Sequence, residues 1–439
     1  MIDMKLTRQY FDVKEIRFGD KCAFADGVLT VSEAELKGLT SDLCKAVKDY
    51  HLEITKPHEN ARIIHVLDTL CPMVKVEGEG QQYSGFFSTP YTVGRGVTNV
   101  MSGFAIIESA ALPWDAANAS SGLLYPRDAI IELDGYYAGY TPFCETNNLV
   151  IVYALNEGKS SLEYDSDIRL IAITISNYLA GLTKGMTPDR TEEFSTQETN
   201  PDLPGVVLVW QCQNQGPYSN TFLYGMPIDD FFPTILHPNE MLDGCVVSGN
   251  YVWPAFKVPS YLHANHPVLL ELYRRHGKEI NFKGVIFCRS HNPSTWHKQR
   301  CASHVITLAE YLDAKGLVMV WEGGGNACTD GMLTIQTGAK HGIKSAGITF
   351  EFGGKDGTEG ILMVDDVPEA IAMCSGGSIE KTVHLPKVDR AVGGDTFRLN
   401  KESGGFFPPS TEALTLEQTT HLYLGGNQCA YSKICGEMY

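Results

Sequence analysis

Hydrophobic and polar positions change period along the chain. Through the first 160 residues, short apolar runs (ARIIHVLDTL, MSGFAIIESA, DAIIELDG, LVIVYAL) are separated by Gly, Pro and Asn clusters. That is strand-and-turn spacing, and it predicts a β-rich domain over 1–160. The period then lengthens: Leu162, Ile168, Ile171, Ile175, Tyr178 and Leu179 fall on one helical face within 161–183. The polar stretch 184–204 has little to bury and is expected to be an exposed linker. The strand GVVLVWQCQ and a dense, turn-rich segment complete a central region over 161–276.

From residue 277 the pattern becomes βαβ. The strand FKGVIFC precedes a helix with Cys301, Val305, Leu308 and Leu312 in one stripe, and Gly316 stands where a C-cap is expected. The strand LVMVW, the turn EGGGNACTDG, the helix MLTIQTGAKHG and the strand IKSAGITF follow. Such alternation predicts an α/β class chain, its β-rich N-terminal domain followed over 277–439 by a parallel-sheet, Rossmann- or flavodoxin-like domain. No repeat of fixed period suggests a solenoid.

Composition narrows the function. The 439 residues carry 35 basic and 52 acidic side chains, a formal charge of −17, which disfavours a nucleic-acid binder. No window approaches 18 uninterrupted apolar residues, and the N-terminus lacks a signal-peptide core, so no membrane association is expected. Twelve cysteines without a CxxC pair, in so long a chain, fit reduced thiols in the cytoplasm.

Candidate chemistry begins with the glycine-rich turns. EGGGNACTDG lies between strand and helix at the carboxyl edge of the predicted sheet, where ligands of open α/β sheets bind. A tight packing turn satisfies the same pattern. EFGGKDG ends the next strand and is expected nearby, so Glu322, Asn326, Asp330 and Asp356 are candidate cleft residues. Neither turn matches a nucleotide motif. His263 with His266, and Cys301 with His304, are the available metal pairs; neither finds a matching second pair, and no metal is expected. The turn Asp243-Gly244-Cys245 places a thiol beside a flexible backbone, although a buried hairpin cysteine reads the same way.

A co-linear series of segments then resembles one family. VKEIRFGDK, TPFCETNNLVIVYAL, PTILHPNEMLDGCVVSGN, HPVLLELYRRHGKEINFKGVIF, WEGGGNACTDGM, FEFGGKDG and GGNQCAYSKICGEMY together make the chain similar to the alpha-subunit proproteins of component B of glycine, sarcosine and betaine reductases, relatives of the proline reductase proprotein. The resemblance implies a subunit that binds a small amino acid or N-methylated amine for reductive C–N cleavage. It also implies a hetero-oligomer with a beta subunit bearing a reactive cysteine or selenocysteine. In the family, a cysteine after a scissile asparagine becomes an N-terminal pyruvoyl group, a ketone that forms imines with amines.

This chain departs from that pattern at the scissile pair. It reads Asn250-Tyr251 after VSG, and tyrosine has no β-heteroatom to accept the acyl group and then leave. Cys245 and Ser248 are the nearby residues with the required chemistry, so a pyruvoyl cofactor is expected only if cleavage occurs at one of them. With Asp243 and Asn250 shaping the turn, these are the candidate catalytic residues. Tyr251, Trp253 and His263 join Glu322, Asn326, Asp330 and Asp356 as candidate substrate contacts, Trp253 and Phe256 through cation–π attraction or simply as core filling. The alternative to a reductase subunit is an unprocessed homologue acting as a binding or scaffold protein, or a non-reductive lyase.

Overall fold

Alternating apolar runs in the N-terminal region pair into two four-stranded sheets. The computed structural model describes residues 4–113, 128–197, 200–214, 221–229, 231–249, 255–355, 367–399, 407–429 and 431–432. One sheet runs Arg190–Phe194, Leu6–Asp12, Gly96–Ser102, Met73–Glu77; the other runs Val47–Thr55, Asn147–Leu155, Phe104–Ser109, Val66–Leu70. Both are mixed, each with one parallel pair. The strand Arg190–Phe194 falls inside the stretch expected to be a linker. Its side chains are exposed apart from Phe194, which is how a polar sequence can still form an edge strand.

The Ser161–Gly181 helix packs against these sheets. Ser160 and Glu163 cap it reciprocally, backbone to side chain, over 3.3 and 2.9 Å. Ile168, Ile171, Ile175 and Leu179 are fully buried in a core shared with both sheets. Each such side chain contributes roughly 1.5–3 kcal/mol of transfer free energy. Leu162, expected on the same face, is 68% exposed because it lies in the first, capped turn.

A six-stranded sheet occupies the second half. Its order is Thr234–Leu236, Asn281–Arg289, Gly205–Cys212, Gly316–Trp321, Lys344–Glu351, Met373–Ser378, and all neighbours are parallel except the first pair. The helices Thr295–Tyr311 and Asn326–Lys340 cover one face, over Val207, Val209, Ile286 and Met319. Leu208, Trp210, Phe287 and Val320 alternate to the other face and pack on Leu6, Ile63, Ala105 and Ile131 from the N-terminal sheets. The sheet therefore takes its central strand from before residue 277. Conversely, Arg390–Val392 returns to pair with Ala61–Ile64.

Two local expectations shift. The helix ends at Tyr311 with Leu312 as its C-cap, and Gly316 opens the next strand instead of capping. The helix after the glycine-rich turn starts at Asn326, so NACTD forms its first turns. From the central strand the chain crosses first to Asn281–Arg289 on one side and then to Gly316–Trp321 on the other. The carboxyl ends of these three strands form a topological switch point.

Candidate functional site

At that switch point the strands deliver polar residues into a dry interior. Gly205–Cys212 ends in Cys212, and Gly316–Trp321 is followed by Glu322; both side chains are fully buried. Glu322 is held twice by backbone: Oε2 accepts from the Gln213 N–H and Oε1 from the Val258 N–H, each over 2.6 Å. The Gly323 N–H donates to the Phe256 carbonyl over 3.1 Å. Residues 256–258 are thus laid along the turn, which fixes the backbone of Lys257 between two bonds. Its ammonium group reaches the Gly249 carbonyl at 3.5 Å.

A second set of buried carboxylates lies on the N-terminal side, near enough for Asp68 and Asp165 to act on Lys257. Ser260 donates its N–H and hydroxyl to Asp68 over 3.0 and 2.5 Å, and its Oγ accepts the Ser248 N–H over 2.8 Å. Asp165 and Arg169 form a buried bidentate pair at 2.5 and 2.6 Å, with the guanidinium 4.3 Å from the Phe222 ring centre. Glu108 is buried beside them.

Burial dominates the electrostatics. Glu322 is pushed up to about 7 by burial, with Lys257 and its two N–H bonds pulling the other way. Asp68 rises to about 6 for the same first cause, and Glu108 goes well up under burial and the Asp68 charge. Lys257 is pushed down by burial, against the opposing influence of Glu322, Cys212, Asp68 and Asp165. Burial thus raises the carboxyls of this cluster and lowers its lysine.

Cys212, His263 and Glu322 each offer a ligand atom, all within 4.8 Å of one another. The imidazole decides whether a cation fits. His263 Nδ1 accepts the Trp210 indole N–H over 3.2 Å, so the ring proton sits on Nε2. Burial holds the ring neutral, and Lys257 already brings a positive charge. The trio therefore presents a proton where a metal needs a lone pair.

The sequence-predicted residues separate into groups. Glu322 and His263 belong to one buried cluster, and Ser248 joins it through Ser260. Asp243 instead anchors the turn to the N-terminal sheet: its carboxylate accepts from Lys75, from Gln82 Nε2 at 2.9 Å, from the Gly94 N–H at 2.7 Å and from Thr98 Oγ1 at 2.6 Å. Asp330 accepts from Asn292 twice over 3.1 Å and pairs with Lys298 at 3.0 Å, which ties loop to helix. Asn326 is exposed and contributes its carbonyl to Lys298. Gly324 is packed against Phe350 and Phe352, so the two glycine-rich turns meet, but over aromatic rings. Phe256 stacks on Phe350 at 4.7 Å, which occupies a ring face proposed for a cationic ligand. Asn250, Tyr251, Trp253 and Asp356 lie outside the described residues.

Cys245 and Ser248, the residues with pyruvoyl-forming chemistry, are both buried. Cys245 donates its N–H to the Glu240 carbonyl over 3.1 Å, and its own carbonyl accepts from the Tyr224 N–H over 2.8 Å. Burial, with the Glu240 and Asp243 charges, pushes the thiol well up, and a protonated thiol is a poor nucleophile. The Ser248 hydroxyl donates to the Gly249 carbonyl at 3.5 Å, on the far side of its own residue from the bond it would attack. Lys257, Cys212, Asp68 and Ser260 escape a motif search. The one available signal is a lysine inside the apolar run AFKVP.

Comparison with known proteins places the chain in one family. Residues 4–436 match the family described as glycine/sarcosine/betaine reductase component B subunits. The chain is 35% identical over 397 residues to the glycine reductase complex component B subunits alpha and beta of Acetoanaerobium sticklandii, covering 89% of each. It is 33% identical over 396 residues to the sarcosine reductase complex component B subunit alpha of Peptoclostridium acidaminophilum, again 89% of each. The D-proline reductase proprotein PrdA of Acetoanaerobium sticklandii is more distant, at 21% over 365 residues, 79% of this chain and 54% of that one. No solved structure matches. Among the described residues no helix is long and apolar enough to cross a membrane.

Proposed function

Because the chain belongs to the glycine/sarcosine/betaine reductase component B family, we propose that it is the substrate-handling alpha-type subunit of a cytoplasmic reductase complex that cleaves a C–N bond in a small amino acid or N-methylated amine. The observation that carries this reading is the near-complete match to component B subunits, joined to a cluster of buried polar residues at the switch point of the parallel sheet. Its partner is a beta subunit with a reactive cysteine or selenocysteine.

We further propose that the chain works uncut. A pyruvoyl ketone supplies an electron sink for bound amines; in this chain Tyr251 stands where the family's cysteine is expected, and burial pushes the Cys245 thiol well up. Substrate handling then rests on the buried polar cluster: Lys257 and the His263 Nε2–H attract a carboxylate, while Glu322 and Asp68 face an ammonium or methylated nitrogen. Co-expression with the product of the neighbouring beta-type gene tests the reading. A stoichiometric complex that consumes a small amine under reducing conditions supports it; a lone stable chain that binds no partner contradicts it. The buried polar cluster also favours a second reading, a subunit that binds such compounds without reducing them. Retained ligand binding with no turnover in the complete complex would select that reading.

A further inference from the structure

The six-stranded sheet is covered unevenly. Helices Thr295–Tyr311 and Asn326–Lys340 cover one face, and the N-terminal sheets cover Leu208, Trp210 and Val320 on the other. That second face continues towards the amino ends of the strands as Val206, Val318, Ile348 and Cys374. Val318 pairs with Leu208, and Ile348 pairs with both Val320 and Cys374, so these side chains share the face. With Val268 and Leu272 of the helix Pro267–Arg275 they line an apolar groove of about 660 Å³. Cys374 is exposed, and Ile371, beside the lining residue Ala372, is 89% exposed. Parallel strands are ordinarily buried on both faces, so an open stretch of such a face calls for a covering element. The charges at the rim answer one another: Glu271 pairs with Arg274 at 2.5 Å and Arg275 at 2.6 Å, and Arg275 with Glu279 at 2.6 Å. An apolar floor inside a self-neutralised polar rim is the anatomy of a protein interface.

We propose that this groove receives an apolar helix of the beta-type partner subunit, laid beside Pro267–Arg275 across the amino ends of the strands. A helix is the fitting occupant because the faces of a parallel sheet are completed by helices, and the groove runs between one such helix and bare strands. The partner is the fitting source because relatives of this chain are named as subunits of multi-component complexes. The docking surface presupposes the reductase-subunit reading and adds to it the place where the subunits join.

The test is maleimide labelling of the full chain, alone and in its purified complex with the beta-type subunit, with Cys374 quantified by peptide mapping. The expected result is ready labelling of the lone monomer and protection of Cys374 in the complex. Ile371→Glu changes an exposed side chain, and Val268→Glu places an acid in a helix's first turn, where the dipole favours it. Each should melt like wild type and weaken association about tenfold. Equal labelling of Cys374 in a complex that forms, or wild-type association of both variants, would overturn the groove and leave the subunit reading standing. Failure to form any complex would overturn both. Protection of Cys374 in the lone monomer, by another part of this chain, or in a lone-chain dimer, by a second copy, would also overturn the proposal.

Discussion

The Val258 N–H donates to Glu322 Oε1 over 2.6 Å, and this bond joins the segment 255–258 to the end of a sheet strand. It makes Glu322 a structural clamp and an ionisable group at once. Burial raises Glu322 from 4.5 to about 7, so the folded protein binds its proton more tightly than the unfolded chain. Stability from this group is fully present below 4.5 and is lost as pH rises towards 7. The amount is about 3 kcal/mol. Denaturant titrations at pH 5 and pH 8 should show that loss, and Glu322→Gln should flatten it. An unchanged pH slope in the variant would show that Glu322 does not carry the effect.

Asp243 is expected to matter for folding rather than chemistry. Its carboxylate collects Lys75, Gln82, Gly94 and Thr98 in a fully buried site. Asp243→Asn strands the Lys75 charge, at a cost of about 3–5 kcal/mol. Thermal melting should show a large drop, whereas a variant that melts normally would reassign Asp243 to the site chemistry.

Ser260 links Asp68 to the Ser248 N–H. Ser260→Ala leaves the hydroxyl's two partners unsatisfied and should cost about 1–3 kcal/mol. Ligand affinity, measured by calorimetry with a small amino acid, should fall as the 245–249 turn loosens. Wild-type affinity in a destabilised variant would separate the turn from the site.

Thiol reactivity should follow burial. Cys374 is exposed, whereas Cys245 and Cys212 are buried with thiols pushed well up by desolvation. Maleimide at pH 8 should label Cys374 first and leave Cys245 untouched until the protein unfolds. Rapid native-state labelling of Cys245 would mean that its thiol is reachable and active.

Much of this was legible from residue pattern. The period change at 161 marks a real helix, and the βαβ alternation marks a parallel sheet, because each reflects one face buried against a neighbour. Glu322 was legible from its place after a strand, before a glycine turn. The roles of Asp243 and Asp330 were not, because their partners Lys75, Thr98 and Lys298 lie far away or on another element. Lys257 is hidden for a related reason: a lysine in an apolar run carries no spacing signature, and only the fold brings Cys212, Asp68 and Glu322 around it. The strand Arg190–Phe194 reads as a linker because an edge strand with one buried residue has almost no hydrophobic pattern.

The central claim is a component B family member that functions without self-cleavage. Mass spectrometry of the intact protein, purified from cells that make it with its partner, addresses this directly. The account predicts one species with the full mass of residues 1–439. Two species corresponding to 1–244 and 245–439, the second starting with a keto-acyl group in place of Cys245, would contradict it.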